Sequence, residues 1–301
     1  MTNIPTTAPG AGRALSGIGL MLAAMMILPV MDGTAKYLSL SLPVFMSVWA
    51  RFFFQTAIAA PFVIGTHGPS ILLANRPLFQ AARSLCLVAA NASFFWGLNY
   101  LPLADTLALF FISPILVTAL SPLMLGEKVD HRRWLAVLAG FVGVLVIIRP
   151  GFSVINPGTG LGLLSGVLYA IFVLLTRQMN HVPVLVTTLY NSFFGAIALT
   201  LLAPLYWQWP DATQWLMLFA IGVISISAHY LLVASFQRAE ASLLAPFAYS
   251  EMISGTLIGL WWFGDLPDFW TFFGAGILIA SGLFISWNET RKSPEELVET
   301  P

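Results

Sequence analysis

An all-α integral membrane protein, with ten transmembrane helices arranged as two inverted five-helix repeats, is the fold class this sequence predicts. Three observations carry that reading. Of 301 residues, 58% are hydrophobic and only 9% charged, against about 25% charged in an ordinary soluble domain. Ten apolar runs follow one another, and the intervals of about a dozen residues or fewer leave no room for a soluble domain. The second five runs repeat landmarks of the first five in the same order.

Cutting the chain at its Pro, Gly and charged punctuation places the spans at 15–38, 44–65, 78–101, 104–124, 132–149, 158–178, 183–205, 213–238, 241–263 and 268–288. Each holds roughly 20 residues, enough at about 1.5 Å per residue to cross a hydrocarbon core of about 30 Å. The first is longer than a signal-peptide core and contains Asp32 and Lys36, so it is expected to be a retained span. The second carries Arg51, and the third Arg83, Asn91 and Asn99. A mid-helix Ser113–Pro114 marks the fourth, and glycines mark the fifth. The sixth opens on GTGLGLLSG (158–166), the seventh holds Tyr190 and Asn191, and the eighth His229 and Tyr230. The ninth reads SLLAPFAYSEMISGTLIGLWWFG (242–264), with Glu251 about halfway across. The tenth precedes the last charged segment.

Ten crossings put both termini on one side. Connectors on that side hold Arg13, Arg76, Lys128, Arg132, Arg133, Arg177, Arg238, Arg291 and Lys292, whereas the other side has Arg149 and Lys36. The bias predicts cytoplasmic termini. Trp207, Trp209, Trp215, Trp261, Trp262 and Trp270 fall at the proposed outer ends, where indole rings favour the headgroup level. Cys86 is the single cysteine, which excludes an intrachain disulfide.

GIGL (17–20) aligns with GTGL (158–161), and Phe52 and Phe53 with Phe193 and Phe194. Further on, ADTLALF (104–110) aligns with ASLLAPF (241–247), and LGEKVD (125–130) with FGDLPD (263–268). Five is odd, so the second copy enters from the opposite side. This predicts a tail at 1–14, repeats at 15–149 and 158–288, and a second tail at 289–301. Inverted repeats are typical of secondary transporters, which hold solute near the midplane between the repeats.

The stretch ADTLALFFISPILVTALSPLMLGEKVDHRRWLAVLAGFVGVLVIIRPG (104–151) resembles helices four and five of EamA-type carriers in the drug/metabolite transporter superfamily, and AEASLLAPFAYSEMISGTLIGLWWFGD (239–265) resembles their ninth helix. The resemblance covers nearly the whole chain. It implies a ten-helix carrier of the bacterial inner membrane, with a central cavity built by helices 1–4 and 6–9. It leaves the solute open among amino acids, nucleotide-like compounds, vitamins and drugs.

A charge at the bilayer centre costs on the order of 2.5–3.5 kcal/mol by insertion scales, so buried ionisable groups mark candidate sites. Glu251 serves either as an interhelical hydrogen-bonding carboxyl or as a cavity acid for solute or proton. With it, Tyr249, Asn91, Trp96, Tyr190, Asn191, His229 and Tyr230 are the expected solute or coupling residues. Asp32 and Lys36, four apart, are expected to pair. Arg51 joins them in a charge cluster acting as gate or structure, and Arg83 is expected near the cytoplasmic interface, within snorkelling reach. Gly162 with Gly166, and Gly255 with Gly259, read as close-packing faces. No Walker lysine motif, HExxH or paired Cys/His set is present, and His67, His131 and His181 are separate loop residues. No catalytic residue, metal or cofactor is therefore expected.

The expected partners are a small-molecule solute, membrane lipid and protons, with no nucleic acid, since 13 basic and 13 acidic residues balance. The aromatic content of 13% favours a planar solute such as riboflavin. Amino acids or S-adenosylmethionine are the alternatives, and a lipid-modifying membrane enzyme using Glu251 and His229 is the alternative of another class.

Overall fold

The computed structural model describes residues 11–68, 76–126, 129, 131–149, 156–178, 184–236, 238–239, 244 and 247–290. Expectations resting on Glu127, Lys128, Asp130, His181, Pro246, Arg291 and Lys292, and on the side chains of His67 and Arg177, fall outside the described residues.

The described residues form eleven α-helices and no strand. These are α1 (Ala11–Leu38), α2 (Val44–His67), α3 (Pro77–Gly97), α4 (Leu103–Phe110), α5 (Ser113–Leu125), α6 (His131–Ile148), α7 (Pro157–Arg177), α8 (Val184–Tyr206), α9 (Ala212–Phe236), α10 (Ser250–Ile258) and α11 (Phe269–Thr290). Eight segments, with α4 and α5 counted as one, are long and apolar enough to span a membrane. The ninth crossing is α10 with a π-helical turn at Gly259–Phe263, and the tenth is α11, giving ten. Apolar residues cover these helices almost all round because lipid, rather than water, faces their outer sides.

The fourth crossing is not one helix. Pro114 has no N–H to give the Phe110 carbonyl, so α4 stops there and α5 restarts at Ser113. The freed carbonyl turns to α7. A Cβ added at Gly166 would lie 3.0 Å from it, and one at Gly162 3.0 Å from Leu109, so these glycines admit the broken segment. The ninth crossing is interrupted too, by a turn at Tyr249. In the repeat alignment Ser113 and Ser250 are equivalent, so both breaks fall at the same place in their halves. Across the centre the rings of Phe111 and Tyr249 meet at 5.4 Å.

Helix α1 packs along α9, α3 along α7, and α2 against α8 and α9, so partners come from opposite halves. Helices α6 and α11 pair with each other. At Gly143 and Gly274 a Cβ would come within 2.9 and 2.6 Å of the opposing backbone carbonyl, so only glycine admits this approach. The largest apolar cluster fills the space among α1, α2, α3, α4, α8 and α9 around Met46, Phe52, Phe95, Leu107 and Leu218.

At the end away from the termini, a short segment of the second half, 263–268, is fastened by cations of the first. Lys36 Nζ reaches Asp265 Oδ2 at 2.6 Å and lies 4.6 Å from the centre of the Phe263 ring. Arg149, at the end of α6, forms an ion pair with Asp268, whose Oδ1 also accepts the Thr271 N–H at 2.8 Å and so caps α11. This corrects the expected pairing of Lys36 with Asp32. Helical spacing brings residues four apart to one face, but Lys36 lies at the end of α1, where a carboxylate from another element is closer to hand.

Candidate functional site

Polar residues from both halves converge at the two helix breaks. Asp32 (α1) and Arg51 (α2) come from the first half; Tyr169 (α7), His229 (α9) and Glu251 (α10) come from the second. Glu251 stands in the first turn of α10, directly after the interruption at Tyr249. Interrupted helices at matching places in two repeats are the arrangement that builds midplane sites in carriers.

Arg51 lies within electrostatic reach of Asp32, Tyr169, Glu251 and His229. Asp32 and Arg51 are 4% and 8% exposed. Tyr169, His229 and Glu251 are half-buried. Among the described residues, neither carboxylate closes onto Arg51 at ion-pair distance. The charges thus face one another across the site.

The His229 Nδ1 lies 2.8 Å from the Ser225 carbonyl. A carbonyl only accepts, so Nδ1 carries the hydrogen and Nε2 keeps a lone pair. Ser225 in turn donates to Gln55 Oε1 at 2.9 Å, which fixes α9 on α2. The Ser254 hydroxyl donates to the Met25 carbonyl at 2.8 Å, which fixes α10 on α1. The helices that carry the histidine and the glutamate are therefore each fastened to a helix of the first half.

The other expected residues lie elsewhere. Trp96 and Tyr230 are 55% and 68% exposed and point outward. Tyr190 is 4% exposed in a small cluster with Ala59, Val63 and Leu189. Asn91 donates to its own helix, at the Leu87 carbonyl, at 2.9 Å. Tyr249 lies against Phe111 and in the space that Gly282 leaves by lacking a side chain. Asn191 accepts at its carbonyl from Ser84 on α3 at 2.7 Å. Arg83 does not snorkel: its side chain is fully buried among α3, α7 and α8, with 3.4 Å contacts to Thr176 Oγ1 and the Thr187 carbonyl. Its position near the start of α3 puts it between helices instead of at the rim.

Tyr169 escaped the sequence reading; a lone tyrosine in the apolar SGVLYAIF (165–172) was the available signal. Asp265, the partner of Lys36, was also missed. A groove of about 340 Å³ opens between α2 and α8, lined by Phe53, Thr56, Phe193 and Ile197 among others. It is apolar and contains none of the converging charges.

The comparisons with known proteins agree with this architecture. The EamA-like transporter family matches residues 15–149 and 156–287. An S-adenosylmethionine uptake transporter of Rickettsia felis is 27% identical, over 92% of this chain and 94% of the relative. A riboflavin transporter of Vibrio cholerae is 27% identical, over 94% and 96%. A pseudopaline exporter of Pseudomonas aeruginosa is 27% identical, over 90% and 96%. One crystal structure, 17% identical, superposes with a TM-score of 0.63 over 93% of this chain and 98% of that one, which shows the shared fold. The family and these relatives are transporters of small metabolites. With both halves of the chain matched, this multi-pass membrane protein belongs to the EamA-like transporter family, within the drug/metabolite transporter superfamily.

Proposed function

We propose that this carrier moves a small organic cation or zwitterion, of the S-adenosylmethionine type, across the inner membrane. In this reading the halves 15–149 and 158–288 rock about the central site, with both termini in the cytoplasm. The observation that carries it is the charge count at the helix breaks: two carboxylates, Asp32 and Glu251, face one guanidinium, Arg51. With all three ionised one negative charge remains, and in a low-dielectric interior it calls for a positive solute group or a proton. Proton and solute then compete for the same acids, which is how a carrier couples their movements. The S-adenosylmethionine transporter among the relatives supports this reading, since a sulfonium carries such a charge.

A planar solute such as riboflavin is the second reading. A run of rings supports it: Phe94 meets Phe110 at 5.6 Å, Phe110 meets Tyr169 at 5.0 Å, and Tyr169 meets Phe172 at 5.7 Å. One experiment separates the two. In purified protein, a ligand at 100 times its dissociation constant adds about 2.7 kcal/mol of stability, read as a rise in melting temperature. S-adenosylmethionine should raise it in the wild type and fail to do so in Glu251→Gln. A rise with riboflavin alone would favour the second reading, and no rise with either would overturn both.

A further inference from the structure

Near the terminal end of α3 and α8, three polar atoms are buried with no hydrogen-bond partner: Gln80 Oε1, Arg83 Nε and Asn191 Oδ1. Arg83 is 0% exposed and Gln80 1%. Among the described residues the remaining guanidinium nitrogens reach only neutral oxygens, both at 3.4 Å, and no carboxylate pairs with Arg83. A cation enclosed in this way is costly unless an anion joins it. Orphaned polar atoms in one place call for an explanation.

All three lie on α3 or α8, which meet at Arg83 and Thr187 and at Ser84 and Asn191; this polar stretch of the contact is the nest. Gln80 and Arg83 are three apart on α3, and Thr187 and Asn191 four apart on α8, so each pair shares a face. Between them the Ser84 hydroxyl donates to the Asn191 carbonyl at 2.7 Å and accepts the Gly195 N–H at 3.0 Å, fastening α3 to α8. Thr176 locates the nest relative to the acids. It follows Tyr169 by seven residues on α7, two turns on the same face and about 10 Å along the helix.

We propose that this nest is a second solute subsite, which takes the head group of an α-amino acid. The Arg83 guanidinium receives the carboxylate, and the Gln80 and Asn191 side-chain oxygens accept hydrogen bonds from the ammonium group. The solute's second positive charge then lies toward Asp32 and Glu251. The proposal rests on the cationic-solute reading and narrows it to molecules that carry an amino-acid head together with a second cation on the side chain. Because Arg83 is closed over in this state, the subsite fills when α3 parts from α8, and the head group favours whichever conformation holds it better.

Purified full-length protein, titrated calorimetrically with two matched pairs of probes, tests the proposal: S-adenosylmethionine with its decarboxylated analogue, and free arginine with agmatine. For at least one pair the wild type should bind the carboxylate-bearing member tenfold or more tightly. Arg83→Gln should reduce that member to the affinity of its decarboxylated partner while leaving the partner unchanged, and Arg83→Lys should keep part of the preference. Since Arg83→Gln removes an unpaired charge, its ligand-free melting temperature should not fall below that of the wild type. A lower melting temperature with the preference intact would make Arg83 structural and overturn the subsite. Equal wild-type affinity within each pair would overturn the subsite and leave the cationic-solute reading standing. Binding of riboflavin alone, or of none of these probes, would overturn both.

Discussion

Glu251 occupies the position that Pro114 holds in the first half, and each follows a serine at a helix break. One repeat uses that position to end a helix and the other to place a carboxyl. Glu251→Gln keeps the volume and most hydrogen bonds but removes the charge, so folded yield should stay normal while affinity for a cationic solute falls tenfold or more. Uptake into vesicles that remains normal in the Gln variant would reduce Glu251 to a structural role. Glu251→Leu should in addition lower the melting temperature, because an apolar side chain would stand among the remaining charges. Asp32, Arg51, His229 and Glu251 were legible because a polar side chain in an apolar run is costly enough to need a reason. Tyr169 was not, since an amphipathic ring sits in such a run without that cost. His229 and Tyr230 show a further limit. Adjacent helical residues point about 100° apart, so when the histidine faces the site the tyrosine faces lipid. Polarity marked the pair, but which of the two turns inward depends on packing.

Among the helices and their connections, the glycines show how closely spacing translates into contact. On α11, Gly274 faces the Gly143 carbonyl at 2.6 Å from a built Cβ, whereas Gly276, two residues on, has nothing within 4 Å. Gly274→Ala should therefore destabilise by about 1–3 kcal/mol as α6 and α11 are pushed apart, and Gly276→Ala should be neutral or slightly stabilising. Equal melting temperatures for the two variants would refute the close approach. Connections were less legible. The local rule that residues four apart meet pointed Lys36 at Asp32, but the ion pair is made with Asp265, 229 positions away in the chain. Nothing in one sequence announces a contact of that separation. A double-mutant cycle on Lys36→Gln and Asp265→Asn should show coupling of about 1 kcal/mol in thermal unfolding, and the same cycle on Lys36 and Asp32 should show none. Coupling in the second cycle alone would return Lys36 to its helical neighbour.

The whole molecule was the most legible scale, because the bilayer leaves so few options: crossing segments must be long, apolar and internally hydrogen-bonded. Ten crossings could be read directly, although the fourth and ninth hide their breaks, since a proline or a turn inside an apolar run does not say how far the chain bends there. Orientation is a separate matter that the fold alone does not carry, because a ten-helix bundle packs identically either way up. Gln214 Nε2 donates to Ser41 Oγ at 3.1 Å, so the loop after α1 and the start of α9 share one end, opposite the helix ends at Thr66 and Arg76. Nine basic residues in the connectors on the terminal side, against two on the other, predict by the positive-inside rule that this side is cytoplasmic. Exposed positions make this testable in a Cys86→Ala background, which removes the single native thiol. Ser41→Cys and Thr213→Cys should react with a membrane-impermeant maleimide in intact cells, and Thr66→Cys only after permeabilisation. Because Ser41 and Thr213 lie at one end, they must label together. If they do so only after permeabilisation, while Thr66→Cys reacts in intact cells, the orientation is inverted, and Arg83 then lies nearer the outer face.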